Sequence, residues 1–560
     1  MFNPDQIKSA ASREIFEKAH KARQSRIAKR RRKPVIQLAD GDWNSKFRID
    51  PFVIDAEFVW RLNDTGSCTI TLPAGGDKAV ENVTGWLFDP WGRPKAKNVH
   101  IRADKDGARW TGRLNSLRLT KAEDGQRTVV IEGLCDFEEL RRIFVWPNPF
   151  LPAAVQFPKA WTMLAPAAWN LKIALFVNLM RLHTSLWTLP DDPLDPKSWV
   201  GGMKQSNWPI VVKPGALLQD RTPTQLISSR MSTWAEMAEP ILADCQLMVE
   251  LRRWFPGDPE PWPGAELGAG TLVVDIVDKS SWWDARGTSF FGDLWRGFVR
   301  TVQTLTGNQI DTKSTVIDAP EIAPEYRRPN LLGTVPSAPY VMYRDDAITG
   351  VESSDFTWEP STAVQVVAGG QSMPGINEGL SAAIQGVGNS LGNFILFPTA
   401  GTIADTLLAP LYSDVIGAWA QHKSVTRAQE AGKFRYQEIF AEGSNTALTL
   451  SSLVAIRKAF WDTRERFSHQ IKVGDGAPWY IGDQGEGHFW LGDRIGSTVS
   501  GIPGGRAIVE QVTEVNLNVA RDSFGWDITC GDFAATQSSL DTILSNIRRV
   551  STAMKQLGVW

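Results

Sequence analysis

"FVWRLNDTGSCTITLPAGG", residues 58–76, decides what kind of fold this chain has. Phe58, Trp60 and Leu62 recur every second residue, Asn63-Asp64-Thr65-Gly66 is turn chemistry, and Cys68, Ile70 and Leu72 alternate again. The stretch therefore predicts a β-hairpin. Working outward, a second hairpin is expected to turn at "DKDG" (Asp104 to Gly107). A third turns at "EDG" (Glu123 to Gly125), with "RTVVIEGL" as its returning strand and "CDFEELRRI" as a following helix. Antiparallel strands joined by short turns predict a small barrel or sandwich over residues 35–145.

Before this unit, residues 4–30 alternate apolar and charged positions at helical spacing, and eight of the thirteen residues from Lys21 to Lys33 are basic. Pro34 ends that helix, which makes residues 1–34 a basic N-terminal helix. Residues 146–215 are rich in Pro and Trp around one apolar helix and read as an elaborate insertion, since a linker would be polar. An α+β module is expected over 216–330, with a helix from Thr222 to Met237 capped by Thr222 with Pro223 at its first position. The strands "CQLMVELRRWF" and "GTLVVDIVDKS" follow it. Residues 331–440 form an extended segment and an apolar helical hairpin. Strands "HQIKVGDGAPWYIG", "HFWLGDRIGSTV", "AIVEQVTEVNLNVA" and "FGWDITCGDF" make 441–535 a second β-rich domain, and 536–560 is a C-terminal helix with Leu540, Ile543, Leu544, Ile547, Val550, Met554 and Leu557 on one face. The expected class is α+β and multidomain: two mainly antiparallel β-barrel domains, a central α+β module and helical insertions.

Composition narrows the function. With 560 residues the chain is long enough for several domains. Sixty Lys and Arg against 62 Asp and Glu give a net charge of −2, which argues against a protein that holds nucleic-acid phosphates over its whole surface. Cys68, Cys135, Cys245 and Cys530 have no ligand spacing and read as buried thiols of a protein folded in a reducing cytoplasm. The charged N-terminus lacks an apolar core segment, so no secretion signal is expected. The 24 tryptophans fit either well-filled cores or surfaces buried between partners.

Catalytic signals are weak. The six histidines (His20, His100, His183, His422, His469 and His488) are dispersed without HExxH or an i, i+4 pair, GxSxG is absent, and "DKDG" lacks the twelfth-position Glu of a calcium loop, Asn115 standing there instead. No catalytic residue, metal site or cofactor is expected.

One stretch differs from the rest. Residues 379–404 carry no charge. Gly386, Gly388 and Gly392 miss the dinucleotide fingerprint by one position, and Gln385, Asn389, Asn393 and Pro398 interrupt any membrane span. Ile376, Leu380, Ile384, Val387 and Leu391 form an apolar helical stripe beside the small residues Gly379, Ala383, Gly386 and Ser390. Phe394 to Phe397 is the most apolar part. Asn393 to Gly401 is expected to turn into a second helix carrying Leu407, Leu411, Val415 and Trp419. Such a hairpin would expose too much apolar surface in a monomer and suits a seam between copies.

Several runs carry a family resemblance: "EYRRPNLLGTVPSAPYVMYRD", "GVESSDFTWEPSTAVQVVAGGQSMPGINEGLSAAIQGVGN", "AFWDTRERFSHQIKVGDGAPWYIGDQGEGHFWLGDRIGS", "PKAWTMLAPAAWNLKIALFVNLMRLHTSLWTLPDDPLDP" and "GTLVVDIVDKS". Over about residues 35–535 the chain resembles the minor tail proteins that form the tail hub of long-tailed phages of actinobacteria, especially mycobacteriophages.

The resemblance implies a non-enzymatic structural protein similar to phage baseplate hub proteins, a homotrimer in which two barrels per chain adapt a sixfold tail to a threefold tip. Its implied partners are the distal tail protein ring, the tape-measure protein, other minor tail and tip proteins, DNA passing transiently through the lumen, and the host envelope. Its implied place is the virion tail tip, after assembly in the host cytoplasm. On this reading Ile376, Leu380, Ala383, Ile384, Gly386, Val387, Leu391, Phe394 and Phe397 form a channel plug or an axial packing surface. Arg26, Lys29, Arg30, Arg31, Arg32 and Lys33 dock the hub or touch DNA. A tail-associated peptidoglycan hydrolase and a receptor-binding tip protein remain the alternative functions.

Overall fold

A computed structural model describes residues 31–92, 97–123, 125–184, 192–202, 204–279, 351–369, 419–441, 462–473, 479–499, 506–521 and 523–531, with shorter stretches within 17–28 and 456–460 and at 189–190, 315–318, 341–344 and 501. The described residues between 17 and 28 are helical, and strand β1 (Val35–Ala39) begins directly after Pro34. It is followed by β2 (Ser45–Arg48), β3 (Asp55–Arg61), β4 (Ser67–Pro73), β5 (His100–Lys105), β6 (Ala108–Lys121) and β7 (Arg127–Cys135). The opening stretch is the β3–β4 hairpin. Cys68, Ile70 and Leu72 are buried on one face of β4, and Asn63 takes a left-handed backbone with φ 55°. A side chain at Gly66 would run into the Val59 carbonyl. At the β5–β6 turn both Asp106 (φ 50°) and Gly107 (φ 77°) are left-handed, the pattern of a type I′ hairpin and not of a calcium loop. Sequence analysis does not anticipate helix α1 (Lys78–Phe88). Asp77 caps it through the Ala79 N–H, and Val80, Val83 and Leu87 are buried.

The middle of the chain supplies β8 (Trp161–Pro166), β9 (Ile210–Val212), β10 (Thr224–Ser229), β11 (Leu247–Arg253) and β12 (Leu272–Asp278). Its helices are α2 (Phe137–Leu140), α3 (Ala167–His183), α4 (Pro196–Gly201) and α5 (Trp234–Asp244). The expected helix over 222–237 is corrected here: residues 224–229 are a strand paired antiparallel with β8. Thr222 is a cap all the same, but for α3. The N-cap of that helix is Pro166, which has no capping side chain, and the N–H groups of Ala168 and Trp169 donate to Thr222 Oγ1 (3.0 Å) and Asp220 Oδ2 (2.7 Å). Helix α5 has its own capping box, Thr233 with Glu236. Leu171, Leu175 and Leu179 of α3, Ile210 and Val211 of β9, Trp234 and Ile241 of α5, and the buried run of β12 share one hydrophobic core. The Trp- and Pro-rich stretch and the α+β module are thus packed as one unit.

The remaining strands are β13 (Thr315–Asp318), β14 (Met342–Tyr343), β15 (Val351–Glu359), β16 (Gln365–Gly369), β17 (Trp419–Lys423), β18 (Glu438–Phe440), β19 (Arg466–Val473), β20 (Arg494–Thr498), β21 (Arg506–Ala520) and β22 (Phe524–Cys530). The expected pair of separate barrels is not what their pairing gives. Strand β21 hydrogen-bonds to β3, from Glu514 opposite Arg61 to Ala520 opposite Asp55, and this joins both strand-rich ends of the chain into a 14-stranded sheet. No pairing among the described strands closes either half into a barrel of its own. The physical reason lies in β21, whose first half pairs with β20 and β13 and whose second half pairs with β22 and β3. The register shifts between Val512 and Glu514. There the Thr513 carbonyl accepts the Leu62 N–H at 2.9 Å, so the bulge lets one strand leave one set of partners and enter another.

A single core lies under this sheet, with Phe58, Trp110 and Ile131 from the N-terminal strands and Val515, Leu517 and Trp526 from the C-terminal ones. Trp60, Trp490 and Trp526 meet pairwise with ring centroids 5.5 Å apart, across the junction of the two ends. Part of the tryptophan content is therefore core filling.

Strands β17, β16 and β18 form a separate small sheet, with helix α6 (Val425–Glu430) beside it. Val366, Ala368, Ala441 and Phe460 are its core, and the buried Arg427 donates to the carbonyls of Ala363 and Phe460. Trp419, expected on the second helix of the apolar hairpin, is the first residue of β17. The C-terminal helix expected over 536–560 lies outside the described residues.

Candidate functional site

Of the six basic residues singled out, Arg26, Lys29 and Arg30 lie outside the described residues, while Arg31, Arg32 and Lys33 are described and exposed. Their backbone is fixed where they meet the sheet. The buried Lys105 Nζ donates to the Arg32 carbonyl (3.2 Å) while pairing with Asp106 (2.8 Å) and lying 4.6 Å from the Phe524 ring centre. Lys33 Nζ donates to the Arg521 carbonyl at 3.1 Å. Lys33, Pro34, Asp50, Pro51, Val53, Val519, Ala520, Arg521 and Phe524 line a cavity of about 170 Å³. Asp50 within it is taken by Arg48 (2.7 Å), which leaves the mouth with an excess of positive charge from Lys33 and Arg521. Sequence analysis misses Lys105 and Arg521, because each is a lone cation in a strand or turn remote from the basic run. Only the pairing of β1 with β5 and the return of β21 into β22 bring them there.

The nine residues of the proposed plug, from Ile376 to Phe397, lie outside the described residues, but the base of their segment is described. Strand β16 ends at Gly369, β17 starts at Trp419, and these two residues are paired across an antiparallel ladder. The chain therefore leaves and re-enters the fold at one place. The small sheet and the turn that leads into β18 present apolar side chains to solvent, with Phe440 of β18 50% exposed and Phe434 and Tyr436 of the turn 96% and 78%.

Two of the histidines, His469 and His488, are held by structural contacts. His469 is fully buried, its Nε2 2.7 Å from Ser354 Oγ and its Nδ1 beside Ser497 Oγ, and its backbone N–H donates to Glu510 Oε2 at 2.9 Å. Those contacts tie β15, β19, β20 and β21 together. His488 Nδ1 accepts the Tyr480 N–H at 2.9 Å. Among the described residues no three His, Cys, Asp or Glu side chains are grouped to hold a metal ion. Burial pushes the Cys135 thiol up to about 11, as expected of an inert structural thiol.

The two large cores are bolted together by a buried ion pair that sequence reading does not find. Arg253 of β11 donates to both oxygens of Asp136 (2.7–3.0 Å), Thr111 Oγ1 donates to the same carboxylate, and Trp43 covers the guanidinium at 4.6 Å. His100 stacks on Trp43 with ring centroids 4.3 Å apart. Burial first, and the Arg253 charge second, hold its imidazole down to about 4.

Comparison with known proteins places this arrangement. The family profile described as "Siphovirus ReqiPepy6 Gp37-like protein" matches residues 35–532. The chain belongs to this family. It is 35% identical to minor tail protein Gp28 of Mycobacterium phage L5, over 98% of both chains. It is 34% identical to minor tail protein Gp28 of Mycobacterium phage D29, over 98% of this chain and 99% of that one. Like these relatives, this Gp37-like protein is a phage minor tail protein, a component of the virion tail. Among solved structures, a tail protein from Neisseria meningitidis MC58 aligns over 90% of this chain and 98% of its own, at 13% identity and a TM-score of 0.40, a level of likeness on which nothing further is built.

Proposed function

We propose that the chain is the hub of the tail tip, a homotrimer that adapts the sixfold tail, through the distal tail protein ring, to a threefold tip and closes the channel until DNA ejection. The observation that carries the reading is the pairing of Gly369 with Trp419, which delivers from a fixed two-stranded base a segment that is uncharged over residues 379–404. A segment so anchored can change its arrangement while the frame behind it stays unchanged, as a bistable closure requires. Three such segments meeting on an axis bury one another's apolar stripes, and each heterologous contact closes after three steps. The tape-measure protein and then DNA pass once the segments part. The alternative of a tail-associated hydrolase gains nothing from His469, which is sealed between two serines, or from His488, which is occupied by a backbone N–H.

A cryo-EM reconstruction of the virion tail tip without imposed symmetry tests the reading. Three copies of the chain at the distal end with residues 376–419 converging on the axis are expected. Six copies, or a segment at the periphery, would overturn it.

In the same reading the basic run docks the hub onto an acidic face of the distal tail ring. Arg31 and Arg32 project from a backbone pinned by Lys105. Changing both, Arg31→Glu and Arg32→Glu, is expected to alter stability by no more than about 0.5 kcal/mol, as for exposed side chains in general. Tailed-particle yield should fall by about tenfold or more, and wild-type assembly should weaken as salt rises. Unchanged yield in the double variant would exclude docking through these residues.

A further inference from the structure

Arg181, in the last turn of α3, is only 9% exposed. Its Nη2 donates to the Phe144 carbonyl (3.3 Å), its Nε to Asn178 Oδ1 (3.4 Å), and its guanidinium lies 4.2 Å from the Trp146 ring centre. Among the described residues no carboxylate pairs with it, whereas Arg253 meets Asp136, Lys105 meets Asp106, and Arg109 meets Asp104 and Asp258. Desolvation alone acts on it and lowers its pKa to about 10. The negative end of its own helix supplies about half a charge at most. An uncompensated buried cation costs stability, and a fold that only needed to fill this space would do better with an apolar side chain.

The loop that packs on Arg181 through the Phe144 carbonyl and the Trp146 ring carries exposed apolar side chains, as does the next residue of the helix. Phe144 is 49% exposed, Phe150 51%, Phe157 77%, and Leu182, the next residue on the helix, 40%. These groups are held in place by hydrogen bonds within the loop. Asn148 Oδ1 accepts the Phe150 N–H (3.0 Å), Asn148 Nδ2 donates to the Phe157 carbonyl (2.9 Å), and Gln156 Oε1 accepts the Asn148 N–H (2.9 Å). The result is a preformed aromatic loop surface that continues from the contacts of the buried Arg181 cation.

We propose that this face docks a segment of another tail protein in which a carboxylate is flanked by apolar side chains, the carboxylate pairing with Arg181. Charge complementarity selects that occupant. The aromatic rim covers the apolar neighbours and excludes water from the ion pair, and the partner supplies the countercharge that the isolated chain lacks. The proposal requires that the chain be built into a tail, and holds whether or not the chain is a trimeric hub.

The test is photo-crosslinking in assembled virions that carry p-benzoylphenylalanine in place of Phe150 or, in separate particles, of Val155, which is 60% exposed on the same loop. The expected product joins this chain to a segment of a different tail protein with an Asp or Glu within a few residues of the attachment point. Its yield should drop at least about tenfold with Arg181→Met and largely survive Arg181→Lys. The purified Arg181→Met protein should melt at the same temperature as the wild type or higher. Crosslinks confined to copies of this chain, a captured segment without a carboxylate, a yield indifferent to Arg181→Met, or a lowered melting temperature would each overturn the proposal.

Discussion

Replacing Asp136 with alanine is expected to destabilise the chain by about 3–5 kcal/mol, the usual result of stripping one partner from a buried ion pair. Arg253 would keep its hydrogen bond to the Gly270 carbonyl (2.8 Å) and its place beneath Trp43, but it would be a desolvated cation whose nearest carboxylate is Glu139 at 4.0 Å, itself taken by Arg113 at 2.8 Å. His100, already held neutral by burial and by Arg253, would face that cation with the opposing influence of Asp136 gone. The damage should not stay local. Asp136 follows β7 in the large sheet and Arg253 ends β11 in the helical module, so the pair bridges the two cores. Thermal melting of the purified protein should show a lower first transition, with the helical module loosening from the sheet. The double variant Asp136→Leu with Arg253→Met removes both charges and should recover most of the loss, because no buried ion is then left unpaired. A single variant within about 0.5 kcal/mol of wild type would show that the pair is solvated in the folded protein.

The features legible in the sequence are those whose physics is local. The β3–β4 hairpin followed from six alternating residues around a turn, and the Asp106-Gly107 turn from dipeptide chemistry that favours two left-handed residues. The strands β11, β12, β21 and β22 were likewise visible as apolar runs. Their partners were not visible, since a strand's periodicity fixes which face it buries and says nothing of which strand lies beside it. Hence β21 was read as part of a second barrel, although Glu514 stands opposite Arg61 across most of the chain's length. Thr222 and Pro223 carried a genuine capping signal, misassigned because the helix they serve lies earlier in the chain. The basic run was legible as composition, but Lys105 and Arg521, which set its geometry, are ordinary cations until the sheet brings them together. Arg181 gave no signal either, since an arginine at a helix C-terminus is unremarkable until its burial and its missing carboxylate are seen.

The second large effect is expected from shortening the chain between β16 and β17. Because Gly369 and Trp419 are paired directly, replacing residues 370–418 with a short Asn-Gly-type turn matches the geometry of an antiparallel hairpin. Val366, Ala368, Ala441 and Phe460 stay in place, and Arg427 keeps its grip on the Ala363 and Phe460 carbonyls, so the melting temperature should not fall. Infectivity, by contrast, should drop by orders of magnitude. How it drops distinguishes the two roles that a segment uncharged over residues 379–404 could have on a fixed base. If the segments close the channel, particles assemble with tails of normal length and then lose their DNA without meeting a cell, since nothing holds the tape-measure protein back. If the segments are permanent packing between neighbouring subunits, an interface the size of a stable oligomer contact is missing and tails fail to form. Counting filled, empty and tailless particles by electron microscopy separates these outcomes. Gly386→Trp in the intact segment is expected to give the same contrast more mildly, because in the helical hairpin that the sequence predicts the small residues would let the helices approach closely. Tailed, filled and fully infectious particles from the shortened chain would remove residues 370–418 from the mechanism. The channel of the proposed hub would then have to be closed by another part of the tail, with the 14-stranded sheet serving only as frame.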